Sequence, residues 1–219
     1  HIYNSIPKEV HSKYSEENIS KIKDNKPSNK DFKLGIYIQP KYDGIRCILS
    51  KEGAFSRKGE VIQGIPHILT SLKDFFLNYP QVILDGELYC HELEFNEISG
   101  TIRRDITKDT IEQQNTRLKI EYFVYDLING CIYTDRLNYL TEISKDWGEY
   151  INLVPTQLVK NCEEIDSIHN NLVFKGYEGA IVRKAGALYQ QNKRTKDLLK
   201  VKQFEDAEYT ILDIIEGVG

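Results

Sequence analysis

The chain has 219 residues, of which 40% are hydrophobic and 11% aromatic, so it can bury one sizeable core without external help. Its formal net charge of −4 and pI near 5.8 argue against a protein that coats nucleic acid through bulk positive charge. No apolar stretch approaches the roughly 20 residues that a membrane helix needs, and the first residues lack the pattern of a signal peptide, so we expect an intracellular protein with no membrane partner.

The first third of the chain predicts an N-terminal extension followed by strands and one helix. Residues 1–33 are polar and charged, with a turn-forming Lys-Pro-Ser-Asn-Lys segment, and we expect them to contribute little core. From Gly35 onward, short β-rich runs are typical of antiparallel strands, and the apolar residues that follow recur at helical spacing. The predicted strands are 36–39, 45–50 and 53–56, and the predicted helix is 66–77.

The remaining two thirds of the chain alternate predicted strands with helices. A glycine at position 176 predicts a left-handed cap at the end of the last helix. No internal repeat is present, so the expected fold class is α+β, with antiparallel sheets and flanking helices. The predicted strands are 82–89, 122–127, 180–183, 198–202 and 209–215, and the predicted helices are 137–150 and 163–174.

The sharpest chemical signal is the segment Lys41-Tyr42-Asp43-Gly44-Ile45-Arg46, which lies between two predicted strands. A strand end can present a side chain into a cleft, and lysine there is a candidate nucleophile. A K-x-D-G tetrad arises by chance in about one chain in twenty of this length. Alone, it is equally consistent with a lysine beside an ordinary Asp-Gly hairpin turn.

Four further charged segments follow in order, each at the margin of a predicted strand. One sheet can direct many such side chains into one groove, so their joint presence favours a single functional site over separate turns. The segments are Ser56-Arg57-Lys58-Gly59, Asp85-Gly86-Glu87, Glu178-Gly179-Ala180-Ile181-Val182-Arg183-Lys184 and Leu199-Lys200-Val201-Lys202.

These segments, with the Tyr125-Asp126 strand end, resemble the covalent nucleotidyltransferases and, among them, the ATP-dependent DNA ligases, especially the small viral and bacteriophage enzymes. The resemblance runs from about Ile38 to the C-terminus. It implies that residues 34–219 form a nucleotidyltransferase (adenylation) domain with an ATP-grasp-like ligase core. In the family an OB-fold domain follows, which we expect to be absent from this chain, so we expect weak nick sealing.

The resemblance implies that Lys41 attacks the α-phosphate of ATP and forms lysyl-AMP. The amine must be neutral to attack, yet at an unperturbed pKa of about 10.4 only ~0.1% is neutral near pH 7.5. Partial burial and nearby cations lower the pKa of a lysine, and the family places three cations around this one. The implied catalytic residues are Lys41, Arg46, Lys200 and Lys202.

The family also implies roles for the remaining charged and aromatic residues. Glu87 holds the ribose hydroxyls, and Tyr125 stacks on adenine, although without the resemblance a core aromatic would be favoured for Tyr125 by about two to one. Asp43 and Glu178 position Mg²⁺, whose oxygen-rich shell suits phosphates. The implied ATP-binding and AMP-binding residues are Gln39, Lys41, Arg46, Arg57, Glu87, Tyr125, Glu178, Arg194, Lys200 and Lys202.

The implied partner is nicked duplex DNA, bound by a monomer without reading base sequence, since base edges carry no information about a nick. The processes implied are DNA repair, replication and recombination, for a viral or phage protein in the host cytoplasm. AMP passes from the lysine to the 5′-phosphate of the nick, and the 3′-OH then seals it. The candidate contacts to the DNA backbone are Arg57, Arg103, Arg104 and Lys193.

Three alternatives stay open on the residues. An RNA ligase shares Lys41, Glu178 and the K-x-K strand. An mRNA-capping guanylyltransferase also uses K-x-D-G, but the E-G-x-x-x-R-K form and the stretch after Lys202 resemble DNA ligases more closely. A catalytically silent binding module is disfavoured, because such a protein would be free to lose the charged residues that this chain has.

Overall fold

The computed structural model describes residues 27–191, 193 and 195–202, and it has the expected α+β architecture. The strands are β1 (Ile36–Lys41), β2 (Ile45–Ser50), β3 (Gly53–Phe55), β4 (Leu84–Tyr89), β5 (Glu121–Leu127), β6 (Ile151–Leu153), β7 (Gln157–Val159), β8 (Gly179–Lys184) and β9 (Leu198–Lys202). The α-helices are α1 (Asn29–Leu34), α2 (Pro66–Ser71), α3 (Lys73–Asn78), α4 (Phe95–Arg103), α5 (Ile111–Leu118), α6 (Tyr133–Ile143) and α7 (Cys162–Phe174).

The described strands form two sheets. One has the order β7-β1-β8-β9 and is antiparallel throughout; the other has the order β3-β2-β4-β5-β6 and is antiparallel except for the β5–β6 pair. Residues Tyr42–Gly44 carry the chain from β1 in the first sheet to β2 in the second. The K-x-D-G segment is therefore the crossing between the two sheets.

Each sheet packs helices against one face through its own hydrophobic cluster. The larger cluster joins the five-stranded sheet to α2, α3 and α4, and includes Leu49, Leu84, Ile68 and Phe75. The smaller cluster joins the four-stranded sheet to α7. Burying each large aliphatic or aromatic side chain contributes about 1.5–3 kcal/mol, so helices cover these faces and leave the others for polar residues.

The structure begins earlier than the boundary predicted at residue 34. Ser28 and Asp31 form a capping box that starts α1, Asp31 lies 2.9 Å from the ammonium of Lys184, and Phe32 packs on the smaller cluster. Residues 29–33 therefore belong to the folded domain, because a capping box and one aromatic side chain anchor a segment of polar composition. Residues 1–26 and the strand predicted at 209–215 lie outside the described residues.

Two predicted helices differ from the observed ones. The helix predicted over 66–77 is divided at Leu72, although no glycine or proline lies between residues 67 and 78 to mark the break. The helix predicted over 137–150 begins at Tyr133 and ends at Ile143, followed by a 3₁₀ turn at Ser144–Asp146. Gly176 follows α7 with φ +87°, which confirms the left-handed cap. In the part of the chain that the structure describes, no helix has the length and apolarity to cross a bilayer.

Candidate active site

A cleft of about 310 Å³ lies between the two sheets and receives side chains from both. From the four-stranded sheet come Gln39, Ile181 and Lys200, which occupy one cross-strand row on β1, β8 and β9. The other sheet contributes Arg46 and Glu87, which are cross-strand partners on β2 and β4. Eight residues that the sequence assigned to nucleotide or DNA binding line this cleft: Gln39, Lys41, Arg46, Arg57, Glu87, Tyr125, Lys193 and Lys200.

Close backbone packing explains two motif glycines. A Cβ on Gly44 would lie 2.3 Å from the carbonyl oxygen of Leu88, where β2 approaches β4. Gly179 has φ +146°, and a Cβ there would lie 2.1 Å from the carbonyl oxygen of Val201. Both glycines are therefore needed to bring charged strand ends together beside the cleft.

Lys41 ends β1 with its side chain 14% exposed. The Glu178 backbone N–H donates to the Lys41 carbonyl at 3.2 Å, which fixes the two residues side by side. The Glu178 carboxylate contacts the ammonium groups of both Lys41 and Lys202. Glu178 and Lys202, although not part of the cleft lining, thus lie beside the candidate nucleophile.

Burial lowers the pKa of Lys41 to about 8, and the positive charges of Lys202 and Lys200 act in the same direction. Glu87 and Asp43 oppose this shift, as does the contact with Glu178, because negative charge favours the ammonium form. With a pKa of about 8, roughly 10% of the amine is neutral at pH 7, on the order of a few hundredfold more than for an unperturbed lysine.

Glu87 lies on the cleft face of β4 and holds a proton more tightly than an exposed carboxyl. Burial raises its pKa to about 8, and the neighbouring charge of Asp85 adds to the effect against opposition from Lys41, Arg46 and Lys200. Near neutral pH the Glu87 carboxyl is therefore largely protonated, and it can donate as well as accept a hydrogen bond.

Asp85 organises the cleft and was not among the residues predicted to act there. It is 3% exposed, and both of its oxygens accept from Arg46, through Nε and Nη2, at 2.9 Å each. The hydroxyl of Tyr125 donates to the same carboxylate at 3.0 Å, and that of Tyr189 at 2.7 Å. Four hydrogen bonds on one carboxylate fix the Arg46 guanidinium in the wall of the cleft.

Tyr125 lines the cleft at an irregularity in the β4–β5 pairing. Its hydroxyl is held by Asp85, and the Arg183 guanidinium lies 5.3 Å from its ring centroid. Phe123, two residues earlier, packs on Tyr42 with ring centroids 4.7 Å apart and does not itself line the cleft. Of the three aromatic residues on this strand, Tyr122, Phe123 and Tyr125, only Tyr125 lines the cleft and can present a ring to a bound base.

Gln39 is 2% exposed, and its amide is engaged on both sides. Nε2 donates to Thr156 Oγ1 at 2.9 Å, and Oε1 accepts from Arg183 Nε at 3.0 Å. Arg183 also donates to Asp126 at 2.9 Å. The predicted contact of Gln39 with an adenine edge therefore depends on exchanging one of these hydrogen bonds.

The remaining predicted site residues that the structure describes do not line the cleft. Asp43 is exposed just past Lys41, and no group of three or more His, Cys, Asp or Glu side chains suited to a metal occurs among the described residues. One or two carboxylates do fit Mg²⁺ when phosphate oxygens and waters complete its shell. Arg103 and Arg104 lie at the exposed end of α4 outside the cleft lining, and Arg194 lies outside the described residues.

The fold and the lysine-centred cleft define a ligase-type nucleotidyltransferase domain, and comparisons with known proteins agree. The model of the ATP dependent DNA ligase domain family matches residues 19–202. The chain is 29% identical over 199 residues to a DNA ligase of African swine fever virus (strain Badajoz 1971 Vero-adapted), covering 82% of this chain and 44% of that protein. It is 26% identical over 195 residues to a DNA ligase of Haemophilus influenzae, covering 84% of this chain and 64% of that protein.

Two solved structures share the fold. A Chlorella virus DNA ligase-adenylate superposes with a TM-score of 0.63 at 22% identity, covering 83% of this chain and 66% of that one. The ATP-dependent DNA ligase of bacteriophage T7 in complex with ATP gives a TM-score of 0.59 at 19% identity, covering 79% and 64%. This chain belongs to the ATP-dependent DNA ligase domain family. It spans less than half the length of the African swine fever virus relatives that it matches.

Proposed function

We propose that this chain is the adenylation domain of an ATP-dependent DNA ligase, in which Lys41 takes AMP from ATP. The observation that carries this proposal is the environment of Lys41: a half-buried amine with a pKa of about 8, beside Lys200, Lys202 and Glu178 in a cleft between two sheets. Family membership supports the same reading, because the matching model covers residues 19–202.

In the proposed first step, the neutral Nζ of Lys41 attacks the α-phosphorus. A P–N bond forms, the bond from the α-phosphorus to the bridging oxygen breaks, and pyrophosphate leaves with that electron pair. The new nitrogen loses one proton, for which the contacting Glu178 carboxylate is an acceptor. Fixed cations lower the barrier by offsetting charge that develops on phosphate oxygens, a role suited to Arg46, Lys200 and Lys202.

Nucleotide recognition is assigned to the other lining residues. Tyr125 offers a ring face to adenine, Gln39 its amide to the adenine edge, and Glu87 its carboxyl to the ribose hydroxyls. A Mg²⁺ ion held by Glu178 and Asp43 would neutralise charge on the phosphates. Arg57, Lys193 and Arg194 are assigned to the phosphate side, where nucleotide and nick meet.

The later steps and the partner are also proposals, because the relatives are longer than this chain. AMP passes from Lys41 to the 5′-phosphate of a nick in duplex DNA, and the 3′-OH then displaces AMP to seal the strand. The relatives named DNA ligase support DNA as the polymer over RNA. We further propose that the protein acts as a monomer inside a cell, with the viral relatives favouring a host cell as that setting.

The test is incubation of the chain with Mg²⁺ and α-labelled ATP or GTP, followed by a denaturing gel and mass spectrometry. We expect an AMP adduct on wild type that is absent from Lys41→Ala. Lys33→Ala, an exposed lysine on α1, is the matched control and should label normally. A GMP adduct would move the assignment to capping, and an adduct that survives Lys41→Ala would overturn the proposed nucleophile.

A further inference from the structure

Four exposed basic residues, here called the basic face, lie on two segments next to the cleft. Arg57 and Lys58 follow β3, and Arg103 and Arg104 end α4. Within residues 27–191, 193 and 195–202, none of the four forms an ion pair with a carboxylate. Their charges are therefore available to an anionic partner, even though the whole chain carries a net charge of −4.

A buried guanidinium joins the two segments from beneath. Arg117, on the last turn of α5, has a side chain only 5% exposed. Its Nη1 donates to the carbonyl oxygen of Gly64, in the loop after β3, and at 2.8 Å to that of Thr101 in α4. Its Nε donates at 2.8 Å to Oδ2 of Asp109, which lies between α4 and α5. One side chain thus ties three segments together.

The two segments also touch directly, backbone against backbone. A Cβ on Gly64 would lie 2.0 Å from the carbonyl oxygen of Ile102, the residue before Arg103. The loop that begins with Arg57 and the end of α4 therefore pack against each other. Arg57 itself lines the cleft, so these two packed segments begin at the cleft.

We propose that Arg117 is a positioning residue for nucleic-acid binding: with Asp109 it fixes the basic face so that its four cations follow the phosphate backbone of a duplex on one side of a nick. This inference rests on the proposed function, which makes nicked duplex DNA the partner. It assigns a role to a buried residue that contacts neither ATP nor DNA.

Arginine is required here for a geometric reason. A planar guanidinium directs donors along several fixed directions, whereas a lysine ammonium is a point charge that cannot reach two carbonyls and a carboxylate at once. In the described part of the chain, Asp109 Oδ1 is buried without a hydrogen-bond partner, so the carboxylate depends on Arg117 for its neutralisation. Arg117→Lys keeps the positive charge while loosening the three segments.

The experiment measures binding of a labelled nicked duplex by fluorescence anisotropy over a range of salt concentrations. The proteins are wild type, Arg117→Lys, the double variant Arg103→Ala/Arg104→Ala, and the triple variant that combines them, with Lys33→Ala as control. We expect Arg117→Lys to weaken binding on the order of tenfold and to flatten the salt dependence, since each lost phosphate contact lowers the slope of log K against log salt by about 0.9. The triple variant should lose less than the sum of the two separate losses, because Arg103 and Arg104 are two of the four cations that Arg117 fixes.

Additive losses in the triple variant would mean that Arg117→Lys weakens binding by a general loss of structure and not through Arg103 and Arg104, which would overturn the proposal. An unchanged salt slope in Arg117→Lys would overturn it as well. Thermal unfolding verifies the fold, and Asp109→Asn replaces Arg117→Lys if the latter does not fold, with the same expected non-additivity. Labelling of Lys41 by ATP is followed in parallel. Absence of the adduct in wild type contradicts the proposed function, whereas normal labelling with unaltered salt slopes contradicts only the role of Arg117.

Discussion

The Tyr189 hydroxyl donates a 2.7 Å hydrogen bond to Oδ2 of Asp85. Tyr189 lies between β8 and β9 of the four-stranded sheet, and Asp85 lies on β4 of the other sheet. The same hydroxyl accepts from Arg46 Nη2 at 3.0 Å. A single phenol therefore connects the two walls of the cleft and supports the arginine that we propose to face the phosphates.

Tyr189→Phe should lower the rate of lysyl-AMP formation about tenfold. The substitution keeps the ring and removes the hydroxyl, and with it the hydrogen bonds to Asp85 and from Arg46. A loss of about 1.5 kcal/mol of transition-state stabilisation, the low end of the range for a hydrogen bond to a charged group, corresponds to that factor in rate. Single-turnover labelling with α-labelled ATP measures it. Tyr139→Phe, an exposed tyrosine on α6, is the control. Equal rates for both variants would show that the hydroxyl of Tyr189 has no part in positioning Arg46.

The rate of lysyl-AMP formation should rise with pH and level off above about 8. Only the neutral amine attacks, and burial with Lys202 and Lys200 lowers the pKa of Lys41 to about 8, so each unit below that value costs about tenfold. Lys202→Ala removes one cause of the lowered pKa and should move the profile to higher pH while also reducing the maximum rate. A profile whose midpoint stays in place would mean that Lys202 does not contribute to the lowered pKa of Lys41.

Sequence patterns indicated residues that line the cleft better than they indicated the contacts that hold those residues in place. The K-x-D-G, D-G-E and K-x-K segments are local, and each couples a strand end to a side chain that faces the cleft. By contrast, Asp85 and Tyr189 are 104 residues apart, and no local pattern at either position indicates their hydrogen bond. The Ser28–Asp31 capping box was visible in the sequence, but the polar composition around it concealed a helix.

Glu87→Gln should gain stability relative to wild type as the pH rises from about 5 to 8. Burial raises the pKa of Glu87 to about 8 in the folded state, against about 4.3 when unfolded, so the folded protein binds the extra proton in this window. Wild type then loses stability as pH rises through the folded pKa, and the amide, which does not ionise, avoids that loss. Thermal unfolding at several pH values measures it. A constant difference in Tm across pH would mean that Glu87 is already ionised near neutrality.

Asp126→Ala should lower the free energy of unfolding by about 3–5 kcal/mol. It removes a buried carboxylate that pairs with the buried guanidinium groups of Arg136 and Arg183 and leaves both charges without that partner. Asp126 is 1% exposed, and it accepts from Arg136 at 2.7 Å and from Arg183 at 2.9 Å. Urea denaturation measures the loss, with Asp146→Ala, an exposed carboxylate, expected to change stability by less than about 1 kcal/mol.

A second substitution at Asp126 tests whether the buried network acts on the proposed nucleotide site. Arg183 donates hydrogen bonds to both Asp126 and Oε1 of Gln39. If Arg183 loses its bond to Asp126, it no longer fixes the Gln39 amide, which we assign to the adenine edge. Asp126→Asn, which keeps the shape and one acceptor oxygen, should remain folded and show a raised KM for ATP with a smaller change in kcat. An unchanged KM in a destabilised variant would restrict the network to stability and remove Gln39 from base recognition.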